Sequence, residues 1–314
     1  MDLQTFLFAF AVPILATTLT MTVPLFIPAL GEIFAERSGV LSIGIEGYMI
    51  LGALTAYMGA IYTGNILLGL LFGIIGGVAG SLIHAFLSVK LGYDQIVSGI
   101  GINIFSFGLT SFLYRTVIVG GFGYAPSASS FETLKNPLLT NLPIIGPILF
   151  HQNFFVFLMF PLLFACAFLL FRTFFGLSVR ATGENPLAAD SMGINVQRTR
   201  LLSIIIGGIM AGIGGASLTL GYLSTFAEGI TAGRGFIVIA IVILGGWNPY
   251  RVLGGSLLFS GIFAIQIRLQ AEGIGIPYPF LMMTPYIIAI IVLVGAVGRV
   301  AMPKALAIPY VRKR

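Results

Sequence analysis

Charge is what this sequence has least of. Of its 314 residues only 8% are Asp, Glu, Lys or Arg, against 58% hydrophobic, and the mean hydropathy is +1.05. A water-soluble domain carries about 25% charged residues, so there is too little polar surface here to cover a soluble body. Cysteine is nearly absent. Cys166 stands alone, which excludes an internal disulfide and any cysteine-based metal centre. Histidine occurs only at positions 84 and 151, and no HExxH is present. There is no GxxxxGK[ST] either, so no ATP-binding loop is encoded in this chain. The net charge of +6 does not indicate nucleic acid as a partner. The positive residues lie in connections and in the tail, and no basic cluster is interleaved with exposed aromatic side chains.

Long apolar runs fill the space left by those absences. Nine are long enough to read as membrane spans, at roughly 3–30, 40–63, 65–90, 95–117, 152–172, 200–223, 233–248, 251–271 and 279–299. They are continuous rather than alternating, which disfavours a β-barrel. The expected fold is therefore all-α: one polytopic transmembrane domain over residues 1–314. The opening "MDLQTFLFAF" has no positive n-region and no small-residue cleavage site, and reads as a retained first span. Gly69, Gly73 and Gly77, with Gly76 and Gly80 beside them, have the spacing that lets two helix backbones approach closely.

Positive charge sets the expected orientation. With the 173–199 connection in the cytoplasm, alternation puts Arg37, Lys90, Arg172, Arg180, Arg198, Arg200, Arg251, Arg299, Lys304 and Arg312 to Arg314 on the same side. Arg115, Lys135 and Arg234 fall outside, and Arg268 sits near an outer end. The N-terminus is then outside, the C-terminus inside, and 118–151 is a large outer loop. Arg312, Lys313 and Arg314 form an anchor suited to anionic membrane lipid.

One stretch breaks the apolar pattern: "RATGENPLAADSMGINVQRTR", residues 180–200. Asn185 suits a helix N-cap, Pro186 the first helical position, and Gly193 the left-handed residue that ends a helix. That predicts a helix of two turns, Pro186 to Met192, presenting Leu187, Met192 and Ile194. Such a helix either lies on the membrane surface or docks a cytoplasmic partner.

The stretch resembles the coupling loop of ATP-binding cassette (ABC) importer permeases of the ribose/branched-chain amino acid type. There a G-x-N-x-x-A-A-x-x-x-G-I pattern precedes a span, matched here by Gly183, Asn185, Ala188, Ala189, Gly193 and Ile194. "ERSGVLSIGIEGYMILGA" (36–53) is similar to a segment of the nucleoside permeases of that family, with Ser42 where they usually have asparagine. "ILGGWNPYRVLGGSLLF" (243–259) is similar to their Gly-x-Trp-Asn-Pro turn. Sugar-type members usually have ten spans, and nine here would fit loss of the first. The resemblance implies a bacterial-type cytoplasmic-membrane permease that pairs with a second permease subunit as a heterodimer or homodimer. It also implies ATPase subunits, holding ATP and magnesium, on separate chains, and an external substrate-binding protein. This chain would carry no cofactor and catalyse no reaction. Residues Gly183, Glu184, Asn185, Pro186, Leu187, Ala188, Ala189, Met192, Gly193 and Ile194 would couple it to the ATPase. The substrate implied is a nucleoside, with simple sugars or riboflavin next.

Polar side chains within spans mark a second candidate site. Gln95, Ser98, Asn103, Ser106 and Thr110 share one face of the fourth span, and Ser42, Glu46, Met49 and Tyr57 one line of the second. The fourth-span set either lines a translocation path or hydrogen-bonds to neighbouring helices. Glu46, read as the only carboxylate well inside a span, either faces substrate or stabilises a broken helix start near Gly44 and Gly47. An ion-coupled secondary transporter is the rival from another class. It would call for a matching carboxylate in the second half, and none stands out.

Overall fold

The computed structural model describes residues 10–131, 133–135, 145–272, 277–296 and 301–310. Residues 3–9 of the first expected span, the end of the last, part of the 118–151 loop and the basic tail Arg312 to Arg314 lie outside them. The architecture is all-helical. Its one sheet among the described residues is a two-residue antiparallel pair, β1 (Leu134–Lys135) against β2 (His151–Gln152).

The helices are α1 Val12–Arg37, α2 Ile45–Thr63, α3 Ile66–Lys90, α4 Gln95–Phe122, α5 Phe154–Arg172, α6 Phe174–Glu184 and α7 Pro186–Ser191. They continue with α8 Val196–Leu223, α9 Arg234–Leu244, α10 Pro249–Ala271 and α11 Tyr278–Ala296. Each of the nine expected spans falls on a helix, and six of these (α1, α3, α4, α5, α8 and α10) are long and apolar enough to cross a bilayer. The chain is thus a multi-pass membrane protein. Helix α2 has less need of apolar composition, because neighbouring helices rather than lipid surround it. Of its residues Tyr48, Met49, Ala53, Ala56 and Tyr57 are fully buried.

Helix α1 runs seven residues beyond the expected end of the first span. Its extension carries Glu32 and Glu36, both fully buried, so Glu46 is not the only carboxylate inside the bundle. The sequence reading ended the span where charges began. The helix continues because those carboxyl groups meet donors: Glu32 Oε1 accepts from the Ser42 amide at 3.1 Å, and Glu36 accepts from the Trp247 indole N–H.

Glycine brings α2, α3 and α8 into close contact. A Cβ on Gly77 would lie 2.3 Å from the Gly208 carbonyl oxygen, and one on Gly73 2.9 Å from the Ala56 Cβ. The 69/73/77 row is therefore a packing face, as expected, and Gly208 and Gly212 of α8 are its counterpart. Away from this core, Leu67, Leu71, Ile75 and Phe86 of α3 and Val97, Ile104 and Phe112 of α4 are exposed, as an apolar environment allows.

The two ends of the bundle differ. One end gathers the 38–44 connection, α6, α7, the start of α8 and the 301–310 tail, with Arg37, Arg198, Arg200 and Lys304; it is called the basic end below. At the other, Tyr57 donates to the Pro126 carbonyl at 2.6 Å and Arg115 pairs with Glu228 at 2.8 Å. Hydrogen bonds donated by Arg115 hold the Glu228 carboxyl below its ordinary value. Arg268 in the last turn of α10 and Glu272 just past its end also pair, at 2.9 Å.

Candidate functional site

Glu46 sits at a meeting of two helix starts. After α1 the chain does not turn straight into α2. Residues 38–44 run non-helically along α4: the Leu41 amide donates to Gln95 Oε1 at 2.8 Å, and the Ile43 carbonyl accepts from Asn103 Nδ2 at 2.9 Å. Gln95 and Asn103 stand eight positions apart on α4, about 12 Å of helix rise. So α2 begins well inside the bundle, and Asn103 closes its start, because its Oδ1 also accepts from the Gly47 amide at 2.8 Å.

Helix α9 begins at the same level. It has 11 residues, about 16 Å, roughly half of a bilayer core of about 30 Å. The residue at its N-terminus, Gly233, offers no side-chain cap. Glu46 supplies one from α2: Oε1 accepts from Thr231 Oγ1 at 2.6 Å and the Gly233 amide at 2.7 Å, and Oε2 from the Gly235 amide at 2.6 Å. A buried carboxylate on the positive end of a helix dipole is a favourable arrangement. Gly235 allows the approach, since a Cβ there would lie 2.6 Å from the Glu46 Cα.

The remaining stripe residues do not all converge. Ser106, whose hydroxyl has no partner among the described residues, stands beside Gly47 and Asn103, and Thr110 donates back to the Ser106 carbonyl at 2.7 Å. Ser98 donates to the Gln95 carbonyl at 3.2 Å, and Ser42 donates to the Tyr48 hydroxyl at 3.1 Å, both nearer the basic end. Met49 is buried where Gly215 approaches its carbonyl, and Tyr57 belongs to the opposite end. Of the nine, then, Asn103 and Ser106 meet at Gly47, the residue after Glu46, while the Glu46 carboxylate turns to α9.

The polar stretch at the basic end is more structured than its sequence suggested. Helix α6 precedes the expected short helix, with Thr173 Oγ1 accepting from the Gly176 amide at 3.1 Å. Asn185 then ends α6 and caps α7, accepting from the Ala188 amide at 3.0 Å, with Pro186 at the first helical position. Gly193, at φ +85°, closes it as the Ile194 amide donates to Ala189 O at 3.0 Å. The helix ends at Ser191, one residue before the expected Met192. Leu187 and Met192 are 62% and 83% exposed, Glu184 and Ala188 are exposed too, and Ala189 packs inward.

The segments on either side of this exposed helix fasten it to the bundle, through Gly183 before it and Arg200 after it. A Cβ on Gly183 would lie 2.0 Å from the Arg37 carbonyl oxygen, so α6 ends directly against the end of α1. The Gly183 carbonyl accepts from the Ala305 amide at 2.8 Å. Arg200, nearly buried, donates to the Ser38 carbonyl at 3.0 Å and the Ile308 carbonyl at 2.9 Å. Four segments distant in sequence share this node.

The third distinctive stretch joins it. Gly246 and Trp247 both have positive φ, Asn248 caps α10 by accepting from the Tyr250 amide at 3.0 Å, and Pro249 opens it. That turn aims the Trp247 indole at Glu36. The stretch 36–53 therefore touches both of the others, 243–259 through residues 36 and 247 and 180–200 through residues 37 and 183.

Residues 14–297 match the family model described as branched-chain amino acid transport system / permease component. The chain belongs to that permease family. The permease is 37% identical over 308 residues to the guanosine ABC transporter permease protein NupQ of Bacillus subtilis, covering 95% of this chain and 96% of that protein. It is 35% identical over 311 residues to the nucleoside ABC transporter permease protein NupC of Lactococcus lactis, covering 96% and 97%. A Haloferax volcanii protein named for glucose ABC transport, TsgC13, is 36% identical over 271 residues, covering 84% and 79%. Among solved structures, an ABC transporter described as metal-chelate type and inward-facing has the same fold. Its TM-score is 0.50 at 15% identity, and the match covers 93% of this chain and 88% of that one.

Sequence reasoning missed Glu32, Glu36, Thr231, Gly233 and the tail contacts of the permease. One signal was present for the Glu46 contact. "TAGRG" (231–235) starts an apolar helix with no acidic or Asn cap of its own, which calls for an acceptor from elsewhere.

Proposed function

We propose that the permease imports nucleosides, powered by a separate cytoplasmic ABC ATPase and fed by an external binding protein. ATP and magnesium belong to the ATPase, and this chain performs no chemistry of its own. Full-length likeness to relatives named for guanosine and nucleosides supports the substrate class. The glucose-named relative makes sugars the comparison substrate. All nine apolar helices, α9 included, belong to one transmembrane domain in the bacterial cytoplasmic membrane. The basic end faces the cytoplasm, 118–151 faces outward, and a second permease subunit completes the path.

The observation that carries this reading is the exposed, capped helix α7, held between Gly183 of α6, whose backbone meets α1 and the tail, and Arg200 of α8, whose side chain meets the same two segments. Through these contacts, movement of residues 183–194 by an ATPase reaches the spans. Glu46 and Asn103 hold the two internal helix starts that frame the path, and Ser42, Met49, Tyr57, Gln95, Ser98, Ser106 and Thr110 line or support it.

Charge at exposed positions of α7 tests the coupling. Leu187→Asp with Ala188→Glu is expected to cut uptake of radiolabelled guanosine at least tenfold and to abolish substrate-stimulated ATP hydrolysis. Yield and melting temperature should hold, because neither side chain is buried. Glucose in excess should not compete with guanosine, while other nucleosides should. Full coupling in the double variant would remove α7 from the ATPase contact, and competition by glucose alone would transfer the substrate to sugars.

Orientation has its own test. In a Cys166→Ser background, a cysteine replacing exposed Ser129 should react with an impermeant maleimide in intact cells, whereas one replacing exposed Lys304 should react only after lysis. The reverse pattern would invert the topology.

A further inference from the structure

The search for a further site ends at a groove where two spans finish at the basic end. It has a volume of about 500 Å³ and lies between the end of α3 and the start of α8. Such a volume falls in the range of about 300–1,000 Å³ typical of small-molecule clefts. Leu82, Ala85, Phe86, Val89 and Leu201 make its walls, and Lys90 and Arg198 stand at its polar side. We propose that this groove is a binding site for one anionic phospholipid, with an acyl chain on the apolar wall and the phosphate between Lys90 and Arg198.

The chemistry follows from where the two cations sit. Lys90 is the last residue of one span and Arg198 the third of another, so both stand at headgroup depth on the same membrane surface. Neither has a carboxylate partner among the described residues. The ion pairs found there are Arg115 with Glu228 and Arg268 with Glu272, both elsewhere. Lys90 instead lies 5.4 Å from the Phe86 ring centroid, which keeps its ammonium over the groove wall. A protein acidic surface or a lipid phosphate would each complement two unpaired cations. The apolar side decides for lipid, because the groove opens onto the exposed apolar side of α3, where Ile75, Leu82 and Phe86 form a track for an acyl chain.

The groove is built rather than incidental. The last turn of α3, Phe86–Lys90, is π-helical. A π-turn widens the helix and re-aims its side chains. Beneath it Val40, Ala85, Val89 and Ile204 form a small apolar cluster of their own, with Leu201 packed against it. The floor is therefore set by the 38–44 connection and by α8, both parts of the node described above. A lipid held here would brace the elements that carry α7, and this inference does not depend on the nucleoside assignment.

Native mass spectrometry of the full-length chain in detergent, titrated with phosphatidylglycerol or phosphatidylcholine of identical acyl chains, tests it. One phosphatidylglycerol should be retained about 30-fold more tightly, since each of two surface cations contributes about fivefold toward an anionic lipid. Lys90→Gln with Arg198→Gln should erase that preference, and Lys304→Gln should not. Leu201→Trp, which fills the groove, should weaken both lipids. If the double variant expresses poorly, a salt series on the unaltered chain replaces it, and the phosphatidylglycerol preference should fall with ionic strength while phosphatidylcholine retention holds. Equal retention of the two lipids would overturn the proposal. So would loss of preference with Lys304→Gln, displacement of the lipid by inorganic phosphate at equal concentration, or a double variant that keeps its lipid but no longer captures the ATPase.

Discussion

Replacing Glu46 by glutamine is expected to lower nucleoside uptake and the melting temperature of the permease together. The carboxylate accepts three hydrogen bonds, from the Thr231 hydroxyl and from the Gly233 and Gly235 amides. Glutamine keeps the shape and one acceptor oxygen, but its amide nitrogen would face at least one of those donors. A buried donor left without a partner costs about 1–3 kcal/mol, and the attraction between carboxylate and helix dipole is lost as well. Because α9 begins inside the bundle, water is poorly placed to substitute. Thr231→Val removes a single donor and leaves both amide bonds, so it should show a smaller drop. Uptake in vesicles and thermal unfolding followed by intrinsic fluorescence would read both effects. If Glu46→Gln abolished uptake while the melting temperature stayed unchanged, the carboxylate would be acting on the substrate rather than holding α9.

Gly183→Ala is expected to uncouple ATP hydrolysis from transport with one methyl group. Its Cβ would fall 2.0 Å from the Arg37 carbonyl oxygen, a backbone atom that has no rotamer to escape into. Helix α6 or the end of α1 must shift, and the hydrogen bond from the Ala305 amide shifts with them. The spans themselves pack elsewhere, through the glycines of α3 and α8, so assembly and melting temperature should change little. Substrate-stimulated ATP hydrolysis should fall more than tenfold, whereas hydrolysis by the ATPase without substrate should persist. Ala181→Gly, two residues away on α6, makes a control that adds no atoms. Normal coupling in Gly183→Ala would show that the contact between α6 and α1 transmits nothing.

Much of this molecule was readable in sequence because lipid leaves the backbone few options. Long apolar runs placed the helices, glycine spacing located the close contact of α3, and Asn185, Pro186 and Gly193 fixed α7 to within a residue. What escaped was polar chemistry between segments far apart in the chain. Glu32 and Glu36 read as the end of a span because their donors, the Ser42 amide and the Trp247 indole, are visible only once the chain has folded. The polar stripe of α4 was legible as a face, but not what it faces. Gln95 and Asn103 turn out to hold the backbone of residues 41, 43 and 47. Helix α6 was missed because "FFGLSVRATGE" mixes apolar and polar residues over only 11 positions, too few for its periodicity to stand out beside the spans.

The hydrogen bonds from Ala305 to Gly183 and from Arg200 to Ile308 also impose an order in time. Residues 305–308 leave the ribosome after every helix described here has been made, and inserted helices alone do not bring the node together. Until those residues emerge, α6 and the start of α8 lack two of their tethers. On the proposed coupling role of α7, a nascent chain that has not yet exposed residues 305–308 presents spans without a finished docking platform.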